Sequence, residues 1–353
     1  MRPRSGLSKK RGSKANPFRA LLRVVRRNVD GVLGALFDQK IRECRVLGPD
    51  VVAMVDAVRD LTMRGGKRLR PALLVAAYRA VDPARPVARA VRAGAALELL
   101  QTYLLIHDDW MDEDDLRRGG PAVHVMLARH HGSRRTGDAA AVLAGDYSAA
   151  LALEVLAQTG NARAMALFAQ IQQDVIRGQQ IDLGARPSDI ELMHDLKSGS
   201  YSVRGPVLLG ATLAGAPPRM IEKLERFAEP LGVAFQLRDD LIGAFGSPGE
   251  TGKPAGSDIR AGKHTALLAE ALLRTGPADR RKLIGTVGRR NATENDVRAV
   301  VRIFERSGAR AAVERRLHDL VGLAHAALGE AGLSRRGAAC LVGAAAALTS
   351  RRR

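Results

Sequence analysis

Apolar residues recur every three or four positions along most of this chain, the spacing of one face of a helix. Phe18, Leu21, Leu22, Val25, Val29, Val32, Leu33, Leu36 and Phe37 mark the first such stripe, predicting an amphipathic helix over 17–45. A second helix is expected over 50–63, stopping at Arg64-Gly65-Gly66. A third follows with Pro71 near its first turn, where a missing N–H costs nothing. Helices are then predicted over 87–115, 121–132, 138–158, 162–184, 189–213, 217–245, 263–274, 278–288, 294–307, 309–329 and 334–349, with the longest Gly/Pro-rich break from Gly246 to Gly262. Strand-like alternation is scarce, no repeat stands out, and no linker divides the chain into two compositional blocks. The pattern therefore predicts an all-α fold, one large helical bundle over 17–350 preceded by a basic tail over 1–16.

Composition sharpens this in two places. The formal charge is +19 over 353 residues, and residues 1–28 carry ten Lys or Arg and no acid. Such a tail can touch nucleic acid or anionic lipid. It has no aromatic residue before Phe18 on which a base would stack, so it reads as a disordered extension with weak membrane-surface contact rather than as a nucleic-acid binder. Cys44 and Cys340 offer neither a disulfide framework nor metal-ligand spacing, and a reducing, cytoplasmic setting is expected. No apolar run of the roughly eighteen residues needed to span a bilayer is evident, nor is a secretory signal.

Candidate chemistry begins in Gln101–Gly119, QTYLLIHDDWMDEDDLRRG, where an apolar run turns abruptly acidic. Asp108 and Asp112 are four apart and share a helical face, with Asp109 one step round. Carboxylates converging in this way repel unless a cation neutralises them, and Mg²⁺, which binds one or two carboxylates together with substrate phosphates, suits the pattern. A second pair, Asp239-Asp240, lies on a helix whose stripe of Leu224, Phe227, Leu231, Phe235 and Leu241 predicts a buried face. Two acidic sites on separate helices would clamp a metal-bridged diphosphate. Cations are found nearby in sequence: Gly65-Gly66-Lys67-Arg68-Leu69-Arg70, Arg117-Arg118, Lys197-Ser198, and Lys253 and Lys263 around the long break. The first of these lacks P-loop spacing. Gln179 and Asp182, on an otherwise apolar helix, suggest a polar lining. His107 reads as a packing residue and the His130-His131 doublet as surface.

Taken together, GGKRLRP, HDDWMDEDDLRRG, GQQIDL, KSGSY, FQLRDD and GKPAGSDIRAGKHT resemble, in order and spacing, the trans-isoprenyl diphosphate synthases, or polyprenyl synthetases. The resemblance runs from about Gly65 to Lys263. It implies an all-α bundle around a central cavity, a homodimer, and head-to-tail condensation to a short-chain prenyl diphosphate with Mg²⁺, three ions in all. By position it implies that Asp108, Asp109 and Asp112 hold Mg²⁺ against an allylic diphosphate, with Asp239 binding from the opposite wall beside Asp240. Arg117, Lys197 and Lys253 would contact that diphosphate. Lys67, Arg70, Gln101 and Arg118 would hold isopentenyl diphosphate, while Ser198 and Gln236 complete the polar lining.

Three positions depart from the family pattern. Gln101 stands where many members have His, Ser198 where Thr is usual, and Gly243 where many have a third Asp of the second motif. The resemblance further implies ionisation of the allylic diphosphate and attack by the double bond of isopentenyl diphosphate. Tyr103 lies five residues before Asp108, roughly 7–8 Å at about 1.5 Å per residue, and its ring with the smaller Leu104 beside it would floor the growing chain's pocket. A single deep aromatic favours geranylgeranyl diphosphate as product, with farnesyl diphosphate second. A terpene cyclase would not need the GGKRLRP loop, and a silent partner subunit would not need intact Asp and Lys sets.

Overall fold

The computed structural model describes residues 16–184, 189–246, 256–329 and 332–349. Helix α1 (Pro17–Cys44) starts where the Asn16 side chain accepts the Phe18 N–H and Pro17 fills the first turn, and it buries Phe18, Val25, Val29, Leu33 and Phe37. The Asn16 amide also donates to the Gly343 carbonyl at 2.9 Å. The residue expected to end the tail therefore caps the first helix and ties it to the last. Residues 1–15 lie outside the described residues.

Next come α2 (Pro49–Met63), α3 (Leu69–Val81) and α4 (Ala88–Met111). Helix α4 is buried on nearly every side between Ala93 and Tyr103, as expected of a helix lacking a polar face. It packs along α6 (Arg134–Ala157), reached through α5 (Val123–His131). Helix α6 is long and apolar enough by composition to cross a membrane, which the sequence reading did not anticipate. Its Ala144, Gly145, Ser148 and Leu151 are buried in the bundle instead, the Ser148 hydroxyl donating to the Leu99 carbonyl at 2.9 Å. Its start at Arg134, four residues before the predicted boundary, follows from the Ser133 cap.

The predicted helix over 87–115 stops at Met111. Carboxylates at 112–115 would stack against the negative end of the helix dipole; Glu113 instead takes a positive φ of 55°. A small antiparallel hairpin follows, β1 (Leu116–Arg117) with β2 (Gly120–Pro121), turned by Arg118 (φ 51°) and Gly119 (φ 76°).

Beyond α7 (Ala162–Leu183), the single helix predicted over 189–213 is a rod in three parts: α8 (Ile190–His194), a π-helical stretch (Asp195–Arg204) and α9 (Gly205–Leu213). The wide stretch presses on α7 at Gly178, where any side chain would overlap the Lys197 backbone. Helix α10 (Pro218–Phe245) leads to the short α11 (Ser257–Arg260), then α12 (Ala266–Arg274), α13 (Pro277–Thr286), α14 (Glu294–Arg306), α15 (Ala309–Gly329) and α16 (Arg335–Thr349). The apolar interior falls into two clusters. The larger gathers α1 to α7, the π stretch and α9 with Leu224, Phe227 and Leu231 of α10, the end of α15 and α16. The smaller gathers Leu237 and Leu241 of α10 with α12 to α15. Among the described residues Cys44 and Cys340 are both free thiols.

Candidate active site

A cavity of about 870 Å³ opens between the end of α4, the π stretch, the last turns of α10 and the segment after α11. Asp108 and Asp112 line it from α4, and Asp239 and Asp240 from α10. Lys197, Ser198, Gln236, Arg117, Gln179 and Asp182 also reach it. Residues far apart in sequence thus meet because three buried helix ends converge on one space.

Lys197 sits between walls of opposite charge. Its Nζ lies 3.2 Å from Asp108 and 2.5 Å from Asp182. Burial works against its charge, but Asp108 and Asp182 outweigh burial and hold its pKa above the ordinary lysine range. Burial likewise opposes ionisation of Asp108, but Lys197, Lys263 and Arg117 outweigh it and keep that carboxyl below its usual range. The other acids lack such compensation. Asp112 is pushed upward by burial and then by Asp108. Asp239, the more solvated of its pair with 46% of its side chain accessible, is pushed up to about 6 by its position in the cleft, Asp240 adding repulsion. Burial takes Asp240 to about 7 even though the Ala266 N–H and the Gln236 amide each donate to it at 2.9 Å. His194, which lines the cavity with its Nε2 3.9 Å from Asp240, is driven down to about 4 by burial.

Carboxylates held above their ordinary range on two facing walls are a donor set short of positive charge. Carboxylate oxygens predominate there, although His194 and His264 also line the cavity, so a hard divalent cation such as Mg²⁺ fits the residues present. Among the described residues, the compact cluster of His and carboxylate donors lies elsewhere: the His130-His131 doublet meets Asp50 on the surface, with His130 Nε2 2.9 Å from Asp50 Oδ1.

Asp109 departs from the expected ligand set. Its side chain is fully buried and turned from the cavity toward Arg117, whose Nε donates to Oδ1 at 2.6 Å. No described residue donates to its other oxygen, and burial pushes its carboxyl up to about 6 despite Arg117. The physical reason is the 100° between successive helical residues: with Asp108 and Asp112 on the cavity face, Asp109 must point into the bundle. Arg117 is accordingly anchored before any ligand arrives, lying also 3.6 Å from Asp108 and 3.3 Å from Asp114.

The basic loop is built on Arg68, which spacing alone does not distinguish from its neighbours Lys67 and Arg70. Arg68 takes a positive φ of 53° and is buried between Asp30 at 2.8 Å, Glu98 at 2.5 Å and the Thr62 carbonyl at 2.9 Å. Around it Arg118 donates to the Leu61 carbonyl at 3.1 Å, and Arg70 donates to the Ser202 hydroxyl at 2.8 Å while lying 4.3 Å over the Tyr201 ring. Lys67 is exposed. Both Arg70 and Lys67 act electrostatically on Asp239, which ties this basic edge to the second acidic wall. Gln101 is buried, and no described residue donates to its Oε1. It is not among the residues lining the cavity, and neither are Tyr103 and Leu104. Tyr103 is 8% exposed and meets His107 edge to face at 4.8 Å. Lys253 lies outside the described residues.

Sequence reasoning assigned no role to Glu98, Asp258 or Arg290. A lone acid inside AALELLQTY signals a buried, paired carboxylate, so Glu98 was open to detection. Asp258 lies within GKPAGSDIRAGKHT, whose spacing does not single out its carboxylate. Arg290, which donates to Glu113 at 2.9 Å and to the Asp112 carbonyl at 3.1 Å across the cavity mouth, carried no signal.

Residues 52–304 match the family model described as polyprenyl synthetase. The chain is 34% identical over 284 residues to the short chain isoprenyl diphosphate synthase of Methanothermobacter thermautotrophicus, covering 77% of this chain and 82% of that one. It is 34% identical over 280 residues to the (2E,6E)-farnesyl diphosphate synthase of Mycobacterium bovis, covering 75% and 74%. Among solved structures, the geranylgeranyl pyrophosphate synthase of Corynebacterium glutamicum complexed with isoprenyl diphosphate and magnesium superimposes with a TM-score of 0.87 at 31% identity, covering 96% of this chain and 100% of that one.

Proposed function

The chain belongs to the polyprenyl synthetase family of prenyltransferases, and from that premise we propose that it joins isopentenyl diphosphate to an allylic diphosphate to give geranylgeranyl diphosphate. The observation that carries this reading is the meeting of Asp108 and Asp112 with Asp239 in one cavity, beside a basic edge formed by Lys67, Arg70 and Arg118.

Mg²⁺, with three ions as the working number, would be held by Asp108, Asp112 and Asp239, and when bound would supply the charge that stabilises the leaving diphosphate. Lys197 keeps Asp108 ionised and offers its ammonium to the same diphosphate, and Arg117, already fixed by Asp109, offers a second donor. Lys67, Arg70 and Arg118 would bind isopentenyl diphosphate on the other side of Asp239, with Gln101 as a further amide donor. Ser198, Gln236 and Gln179 line the polar end, while the ring of Tyr103 would limit chain growth. The C20 product is supported by that single aromatic and by the similarity to a geranylgeranyl pyrophosphate synthase. A C15 product is the second reading, favoured by the similarity to farnesyl diphosphate synthases. The homodimer expected of the family is supported by exposed Leu143 and Leu153 on α6.

The test is condensation by the purified full chain with Mg²⁺, isopentenyl diphosphate and each allylic starter in turn, with products separated by chain length. Asp108→Ala and Asp239→Ala should each lower turnover by about 10²–10³-fold. Undiminished condensation in either variant, or consumption of the allylic diphosphate without isopentenyl diphosphate, would overturn the proposal.

A further inference from the structure

Gly243 lies four residues after Asp239, one turn further along the same face of α10. The space beside it is taken. A Cβ built at Gly243 would stand 3.1 Å from Asp258 Cγ and closer still to Asp258 Oδ2, so the carboxylate of Asp258 fills the volume that any side chain at 243 would need. Asp258 also lines the same cavity as Asp108, Asp112 and Asp239. We propose that Asp258 supplies, from the segment after α10, the carboxylate that Gly243 withholds, and that it belongs with Asp239 to the second wall of the divalent-cation site. The inference rests on the prenyl-transfer reading above for its chemistry.

The segment is held in place rather than draped. Ile259 is 5% exposed within the smaller apolar cluster, and its carbonyl accepts the Gly288 N–H at 2.9 Å. The Arg260 Nε donates to the Ala292 carbonyl at 3.0 Å, and the Lys263 N–H returns to the Asp258 carbonyl at 3.0 Å. Gly256, at φ 74°, abuts Val297 so closely that a side chain there would overlap it. These contacts fix the Asp258 backbone from both sides. Lys263 Nζ, 3.7 Å away, offsets part of the charge, and Asp258 in turn adds to the repulsion felt by Asp240. A carboxylate so placed makes the same electrostatic contribution as one rooted on α10. Only one of the two can occupy that space.

The competition between positions 243 and 258 supplies the test. Mn²⁺ is titrated into the full chain with inorganic pyrophosphate, and bound metal is read by electron paramagnetic resonance. Asp258→Asn should weaken Mn²⁺ binding by about 10- to 100-fold, the range seen when a group supporting a metal site is lost. Asp258→Ala should do the same. Gly243→Asp should not tighten binding, because the new side chain must displace Asp258. Gly243→Asp combined with Asp258→Ala should restore binding to within a few-fold of the parent. Unchanged binding in Asp258→Asn overturns the proposal, as does a combined variant that folds yet binds no better than Asp258→Ala. If the combined variant does not fold, the melting temperature shows it and Asp258→Asn alone decides. Because the readout is metal binding, a parent chain that binds Mn²⁺ and pyrophosphate but condenses nothing refutes the prenyl-transfer reading and leaves the Asp258 result standing.

Discussion

Replacing Arg117 by Met separates the two roles that an acid-rich helix end can play. Arg117 is the described partner of Asp109, a carboxylate with no solvent access and one oxygen already without a donor. Breaking a buried pair by removing one member typically costs about 3–5 kcal/mol, because the remaining charge is uncompensated. Here the cost has a pH signature. Burial has already raised the Asp109 carboxyl to about 6, above the value of an unfolded aspartate, with Arg117 pulling against the rise. Loss of Arg117 must raise it further. A carboxyl raised in the fold stabilises most below its unfolded pKa, and that contribution is lost as pH rises through the folded value. Arg117→Met should therefore cost little at pH 5, where Asp109 can take up a proton, and the full amount at pH 8. Urea denaturation of the metal-free protein at both pH values measures this. Asp109→Asn in the Arg117→Met background should recover about 2–3 kcal/mol at pH 8, the upper range for groups in contact. Equal costs at the two pH values, or no recovery in the double variant, would refute the assignment of Asp109 as the anchor of Arg117.

Two further outcomes follow from the packing. Glu98→Gln leaves the buried Arg68 guanidinium with Asp30 and the Thr62 carbonyl alone, and should lower stability by about 3 kcal/mol in denaturant titration while raising the KM for isopentenyl diphosphate more than it lowers kcat. Tyr103→Ala should shift the product toward longer chains by chromatography, and an unchanged product would show that the ring merely packs on His107.

Much of this arrangement was legible from residue spacing. The stripe through α1, the buried face of α10 and the convergence of Asp108 with Asp112 all follow from a period of 3.6, and the structure places them so. What period alone could not reveal was where a helix end yields to charge. The acids at 112–115 made a longer α4 look plausible, whereas their position at the negative end of a dipole turned the chain into a hairpin. Asp109 illustrates a related limit: adjacency in sequence suggested a shared ligand set, but its angular offset sends it to Arg117. The π stretch around Lys197 was illegible because it depends on contact with Gly178 from another helix. Glu98 and Asp258 acquire meaning only through partners thirty and fifteen positions away, Arg68 and Gly243.

Helix α10 passes from one apolar cluster into the other, its first half packed in the larger cluster and its second with α12 to α14 and the start of α15. Asp108 and Asp112 belong to the first body, Asp239 and Asp258 to the second. Across the mouth the two sides also meet in the solvent-exposed Arg290–Glu113 pair, a contact worth at most about 1 kcal/mol. Cargo gripped by both sides would consequently fasten the lobe of α11 to α14 and the second half of α10 to the rest, so occupancy and rigidity should rise together and product departure should loosen the joint.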